Sequence, residues 1–260
     1  MTDPFAAARA WIAADPDPAT QAAGRVLLDS GDAAAVASHF GTRLRFGTAG
    51  MRGALGPGPN RMNRATVRRV SHAFGQYLLS QIAGAGERGV VVGFDGRYGS
   101  REFAADTSHV LAALGLRVYL YEDVVPTPQL AHAVVHLGCA GGVMVTASHN
   151  PPSDNGYKVY WANGAQIIPP HDVGISACLD AVEGVPAADP GGQVDEVPGA
   201  VLEAYLTAVD GLRVYDGATD LRVVYTAMHG VGRQLFETVL RRHGYADLHV
   251  VAEQIGRAHV

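Results

Sequence analysis

Two hydrophobic periods alternate along the middle of the chain. Over Arg64 to Ala83 the apolar positions Val67, Val70, Phe74, Tyr77, Leu78 and Ile82 fall on one side of a helix. The period then shortens: Val90 to Phe94 is a largely apolar run, Leu116 to Tyr121 and Gly142 to Thr146 are strand-like, and Tyr157 to Trp161 is β-rich. Helical stretches at Arg101 to Leu114 and Thr127 to His136 separate these runs. Short apolar strands alternating with helices predict βαβ units, and hence an α/β fold with a mixed, mostly parallel sheet sandwiched by helices. Ahead of this block the first 40 residues are alanine-rich and predict helices over Pro4 to Ala14, Pro18 to Ser30 and Asp32 to His39, with Asp17 capping the second. A glycine- and arginine-rich loop, Gly41 to Asn63, joins the two parts.

Residues 41–183 are therefore expected to form one domain behind N-terminal helices at 1–40. From 184 to 198, Pro186, Pro190, Pro198 and the Gly191-Gly192 pair give linker chemistry. Residues 199–254 predict a helix, Gly199 to Gly211, and then the start of a second, similar α/β domain: strand Leu221 to Tyr225, helix Val231 to His243, strand Leu248 to Val251. One crossover is too little to bury a sheet, so this second domain is expected to be truncated. The tail IGRAHV, residues 255–260, resumes no pattern. Read back as ATC GGA AGA GCA CAC GTC it matches a widely used sequencing adapter, so it is expected to be an artefact beyond which the native protein continues.

Composition narrows the function. With 260 residues, 48% hydrophobic and 17% charged, and a net charge of −5, the chain is neither disordered nor an electrostatic nucleic-acid binder. Its 32 glycines and 14 prolines show no period and mark tight loops. The two cysteines, Cys139 and Cys178, make neither a disulfide framework nor a zinc set, and imply a reducing cytoplasm. Val124 to Ser153 carries no Asp, Glu, Lys or Arg, but Pro126, Pro128, His132, His136, Asn150 and Pro151-Pro152 interrupt it, so no run of ~18 apolar residues could span a membrane. No secretory leader is visible at the N-terminus. One detail outweighs these totals: 19 of the 20 basic residues are arginine, and the sole lysine is Lys158. A compact ammonium and a planar guanidinium are not interchangeable at a packed site, so either chance or function has kept lysine there.

The hexapeptide GAGERG, Gly84 to Gly89, fits G-x-G-x-x-G by letter. Its glycines end a helix and precede a strand, the reverse of a dinucleotide site, so it reads as a helix–strand turn. TASHNPPSDNGYKVY, Thr146 to Tyr160, is more informative. It leaves a strand end, where ligands sit in parallel α/β sheets. Ser148 stands at the turn, but Thr146 and Asn150 occupy the glycine positions of a G-x-S-x-G elbow, and His149 is too close in sequence to serve as a triad base. Serine hydrolysis is thereby disfavoured. Asn150-Pro151-Pro152 and Asp154-Asn155-Gly156 fix the loop before the chain returns as a strand bearing Lys158. A serine on a rigid loop near His149 and the unique lysine suits a phosphoryl carrier, whose charge of about −1.5 to −2 needs cations and donors around it. A turn with purely structural polar groups is the competing account. Arg43, Arg45, Arg61 and Arg64 add positive potential around the glycine-rich loop, most of them as solvated surface residues.

TASHNP followed by DNGYKVY closely resembles the active-site loop of the α-D-phosphohexomutases, the phosphoglucomutase/phosphomannomutase superfamily. LRFGTAGMRG from Leu44, RMN from Arg61, VVVGFDGRYGSREFA from Val90, PTPQLAHAV from Pro126 and VYTAMHGVG from Val224 agree with it, so the resemblance runs nearly to Gln254. The FGTAG-RG form, the helical N-terminus and DPDPAT are most similar to the branch that holds phosphoglucomutases together with phosphopentomutases. The resemblance implies that Ser148 is the serine phosphorylated in the resting enzyme, that His149 and Lys158 serve proton transfer and charge stabilisation, and that Arg52 sits near the phosphoserine. Arg52 and Lys158 would also bind substrate. It implies Mg²⁺, held through the phosphate on Ser148 and by an aspartate-rich loop of the second domain, with a sugar bisphosphate as activator. That aspartate run, the sugar loop of the third domain and the phosphate-gripping loop of the fourth are missing, so mutase activity is not expected from this chain alone.

The implied reaction interconverts 1-phosphate and 6-phosphate (or 5-phosphate) sugars through a bisphosphorylated intermediate. Sugar phosphates are the expected partners, without nucleic acid or membrane. Oligomeric state and the preferred sugar, whether glucose, mannose or pentose, stay open. Two alternatives differ in chemistry: a non-catalytic sugar-phosphate binding module, which needs no nucleophile, and a phosphatase that hydrolyses the phosphoserine with water.

Overall fold

The computed structural model describes residues 4–253 except 49, 190, 216 and 218. Helices α1 (Pro4–Ala14), α2 (Pro18–Asp29) and α3 (Ala33–Phe40) close on a small core of Ala8, Ile12, Val36 and Phe40. Asp17 caps α2 as predicted, accepting the Ala19 N–H at 2.9 Å, and Asp32 caps α3 through Ala34 and Ala35 at 3.0 Å.

The main sheet has six strands: β1 (Gly50–Ala54), β2 (Val90–Phe94), β3 (Val118–Leu120), β4 (Gly141–Val145), β5 (Asp154–Trp161) and β6 (Val194–Glu196). Their spatial order is β1-β5-β4-β2-β3-β6. The strands β4, β2, β3 and β6 run parallel, and β5 runs antiparallel to its neighbours β4 and β1. Around them lie α4 (Arg64–Gln81), the single turn α5 (Ala85–Arg88), α6 (Ser100–Ala113), α7 (Thr127–His136), α8 (His171–Ala181) and α9 (Ala200–Asp210). Alternate side chains of each strand serve opposite faces. Val90, Val92, Val143, Tyr157 and Val159 join Val70 and Phe74 of α4, Leu111 of α6 and Ile175 of α8 in one core. Val91, Met144 and Tyr160 join Leu130 and Val134 of α7 and Val201 of α9 in the other. Cover on both faces explains why β2 and β4 are apolar throughout. GAGERG forms α5 and its flanks, a helix–strand turn as expected.

Three features depart from the sequence reading. First, β1 lies inside the stretch expected as a loop. It is a glycine-rich edge whose register comes from β5: Gly50 stands opposite Lys158 with φ of 131°, and a Cβ there would lie 1.9 Å from the Tyr157 carbonyl oxygen. Second, α8 has no counterpart among the predicted elements. Third, the stretch 184–198 is not all linker. Its Val194–Glu196 segment extends the sheet, with Val194 opposite Val118 and Arg117 Nε bonded to Asp195 at 2.8 Å. Helix α9, expected to open the second domain, packs against α7 and covers this sheet.

Beyond α9 the chain forms a parallel pair, β7 (Val223–Tyr225) and β8 (Leu248–Val250), bridged by α10 (Arg233–Arg242). Helix α10 buries none of its described residues; Val224 is 71% exposed, and Val223, Leu235 and Leu240 are half-buried. Arg242 ties α10 to Asp210 and Glu203 of α9 at 2.8 and 3.0 Å. So thin a unit is expected to open easily: hydrogen exchange should find the β7 and β8 amides at least ~100-fold less protected than those of β2 and β4. Equal protection would contradict this. The tail expected to derive from an adapter, 255–260, lies outside the described residues. No helix among the described residues is long and apolar enough to cross a membrane.

Candidate active site

The site is assembled where β2 and β4 end. Asp95 is the first residue past β2, and Thr146 the first past β4; both are buried. The Thr146 hydroxyl donates to Asp95 Oδ2 at 2.6 Å and accepts the Ser148 N–H at 2.9 Å. Asp95 Oδ1 accepts the Arg97 N–H at 3.0 Å and the Ser100 hydroxyl at 2.8 Å. Ser148 has φ of 61°, a left-handed conformation that costs a non-glycine residue about 1–3 kcal/mol, and its side chain is exposed. The Asn150 N–H closes the turn on the Ala147 carbonyl at 3.1 Å, and the Asn150 amide donates to Asp154 Oδ2 at 2.9 Å.

After this turn β5 brings Lys158 back opposite Met144, near the end of β4. Lys158 is 8% exposed, and its Nζ lies 3.5 Å from Ser148 Oγ. Burial pushes its pKa below that of an ordinary lysine, the positive charge of Arg52 pushes it further down, and Asp95 works against both. Arg52, on β1, stands opposite Gly156 and is exposed. At Gly156 a Cβ would lie 2.5 Å from the Thr146 carbonyl oxygen and 3.0 Å from that of Met51, backbone atoms that cannot step aside. Gly156→Ala is accordingly expected to destabilise the chain by about 1–3 kcal/mol in urea unfolding, and an unchanged midpoint would refute the close approach.

The structure thus brings Ser148 and Lys158 together, with Arg52 near enough to act on the lysine's charge. His149 is exposed, and among the described residues it makes no hydrogen bond or ion pair with Ser148, Lys158 or Arg52. Three of the four arginines noted around the glycine-rich loop are engaged elsewhere. Arg43 pairs with Asp180, Arg61 donates to the Ser38 carbonyl at 3.2 Å, and Arg64 grips Asp106 at 2.6 and 2.9 Å. Sequence reasoning gave no role to Asp95, Arg97 or Thr146. The available signal was an acid and a base, FDGR, placed directly after an apolar strand.

These residues do not by themselves fit a divalent cation. Asp95 is taken up by Thr146, Ser100 and Arg97, and among the described residues no group of three or more His, Cys, Asp or Glu could hold a metal ion. The magnesium expectation finds here only the oxygen that a phosphate on Ser148 would supply.

Fold and site together define an α/β domain that presents a serine hydroxyl beside a buried amine at the carboxyl edge of its parallel strands. The family model for phosphoglucomutase/phosphomannomutase, alpha/beta/alpha domain I, matches residues 43–184, and the chain belongs to that family. It is 35% identical over 260 aligned residues to the phosphopentomutase of Homo sapiens, a match covering 94% of this chain and 42% of that protein. It is 37% identical over 220 residues to the phosphoglucomutase of Staphylococcus epidermidis, covering 82% and 40%. Among solved structures, a protein of Thermus thermophilus assigned as a phosphomannomutase superposes with a TM-score of 0.72 at 33% identity, covering 84% of this chain and 48% of that one. The chain spans less than half the length of these relatives.

Proposed function

We propose that this chain carries the phosphoserine centre of a phosphosugar mutase interconverting 1-phosphate and 6-phosphate, or 5-phosphate, sugars. In this reading Ser148 Oγ holds the phosphoryl group and passes it to a free hydroxyl of the sugar monophosphate. The sugar bisphosphate so formed turns over and returns its other phosphoryl group to Ser148. A sugar bisphosphate acts as activator by charging the serine at the outset.

The observation that carries the proposal is the approach, at 3.5 Å, of the buried Lys158 amine to an exposed Ser148 Oγ whose backbone is held at φ 61°. Phosphoryl transfer needs positioning and cations facing the developing charge, and little covalent chemistry besides. Lys158 supplies a compact cation under the serine, 3.5 Å from its hydroxyl oxygen, facing the charge that develops as the phosphoryl group moves. Arg52 supplies a second cation for the phosphate of serine or substrate. His149, exposed beside Ser148, exchanges protons with the sugar hydroxyl. Relatives named phosphopentomutase and phosphoglucomutase support the reaction class. Magnesium belongs to the proposal with the Ser148 phosphate as one ligand. A cytoplasmic location is also part of it, since Cys139 and Cys178 are both free and burial pushes the Cys139 thiol up to about 11.

The test is an assay of the full-length gene product with glucose 1-phosphate, mannose 1-phosphate and ribose 1-phosphate, following the isomer and inorganic phosphate side by side. Isomer in large excess over released phosphate is expected. Phosphate released mole for mole would favour the phosphatase, and saturable binding with neither product would favour the binding module.

A further inference from the structure

Something must hold Ser148 in a left-handed conformation that, among the described residues other than glycine, only Met228 and His229 share. On its amino side the Ser148 N–H donates to Thr146 Oγ1 at 2.9 Å. The Thr146 hydrogen is itself committed to Asp95 Oδ2 at 2.6 Å, which leaves an oxygen lone pair facing the amide. On its carboxyl side Arg97 takes over. Its Nη2 donates to the carbonyls of Ser148 and Asn150, both at 2.8 Å, and its Nη1 to those of Pro151 and Asp154, both at 2.9 Å. The Arg97 residue is 6% exposed, and its Nε lies 3.3 Å from Asp95 Oδ2. A guanidinium this buried requires a paired charge, and Asp95 provides it.

The two peptide groups flanking Ser148 are thus anchored by the two members of one buried ion pair, Asp95 acting through Thr146 and Arg97 acting directly. A return of Ser148 to an ordinary φ would have to break one of these anchors. We infer that the Asp95–Arg97 pair positions the phosphoacceptor hydroxyl, an inference that rests on the function proposed above. Neither side chain touches Ser148 Oγ, so both are positioning residues. Lysine cannot replace Arg97, because its three donors radiate from one point and cannot span four carbonyls.

The experiment compares Arg97→Lys and Asp95→Asn with wild type in the full-length gene product, and records the Ser148 φ-sensitive NMR coupling and carbon shifts in the 260-residue chain. The expected result is a fall in kcat of about 100-fold or more, a KM for the sugar monophosphate within about threefold of wild type, and loss of the left-handed signature in protein that still melts cooperatively. A structural role alone would lower the melting temperature but leave kcat per folded molecule and the Ser148 signature unchanged, and that result overturns the inference. If Arg97→Lys does not fold, Asp95→Asn, which keeps the shape and removes the charge, decides by the same readouts. Should wild type carry no phosphate on Ser148, the proposed function fails, while the NMR signature still decides whether the pair sets the geometry of the turn.

Discussion

Ser148→Ala is expected to lower turnover of the full-length gene product by about 10⁴-fold or more, because no oxygen remains to carry the phosphoryl group. Stability should hardly change, since the side chain is exposed and the left-handed backbone is equally unwelcome to alanine. Ser148→Gly provides the complementary result. Glycine adopts φ 61° freely, so this variant should be as inactive as Ser148→Ala but more stable by about 1 kcal/mol, read as a higher melting temperature. Together the two separate the oxygen from the backbone that presents it. Activity of Ser148→Ala within tenfold of wild type would contradict the account.

Lys158 should separate activity from stability in the same way. Its pKa is lowered in the folded chain, so between that value and the ordinary 10.5 the unfolded chain binds the proton more readily, and stability rises with pH across that window. Lys158→Met removes a charge the fold holds at a cost. It is expected to stabilise the chain by about 0.5–2 kcal/mol and to flatten the alkaline rise, while turnover falls about 100-fold or more. Lys158→Arg keeps the charge but replaces a compact amine by a planar fork in a buried slot, and turnover should fall far more than stability. Near-wild-type turnover in Lys158→Arg would make chance the better explanation for the only lysine among 20 basic residues.

Where packing and sequence agree, the fold was readable in advance. The one-sided apolar spacing from Val67 to Leu78 marked α4, and unbroken apolar runs marked β2 and β4, because a strand covered on both faces has no polar side to show. Elements that borrow their stability were not readable. β1 is glycine-rich and owes its register to β5, and β6 is three residues held by β3 and by the pairing of Arg117 with Asp195. Neither carries its own hydrophobic period. The same division runs through the site. The turn residues and the lone lysine drew attention to Ser148, His149 and Lys158, and the resemblance added Arg52. Asp95, Arg97 and Thr146 act through hydrogen bonds between segments some fifty residues apart, a relation no local pattern records.

The central claim, that Ser148 is the phosphoryl carrier, is tested most directly by phosphopeptide mapping of the full-length gene product after incubation with glucose 1,6-bisphosphate. Thr146 and Ser153 are the other aliphatic hydroxyls of the loop, and that of Thr146 is buried and committed to Asp95. The account predicts phosphate on Ser148 alone. Phosphate on Thr146 or Ser153, with Ser148 unmodified, would contradict it.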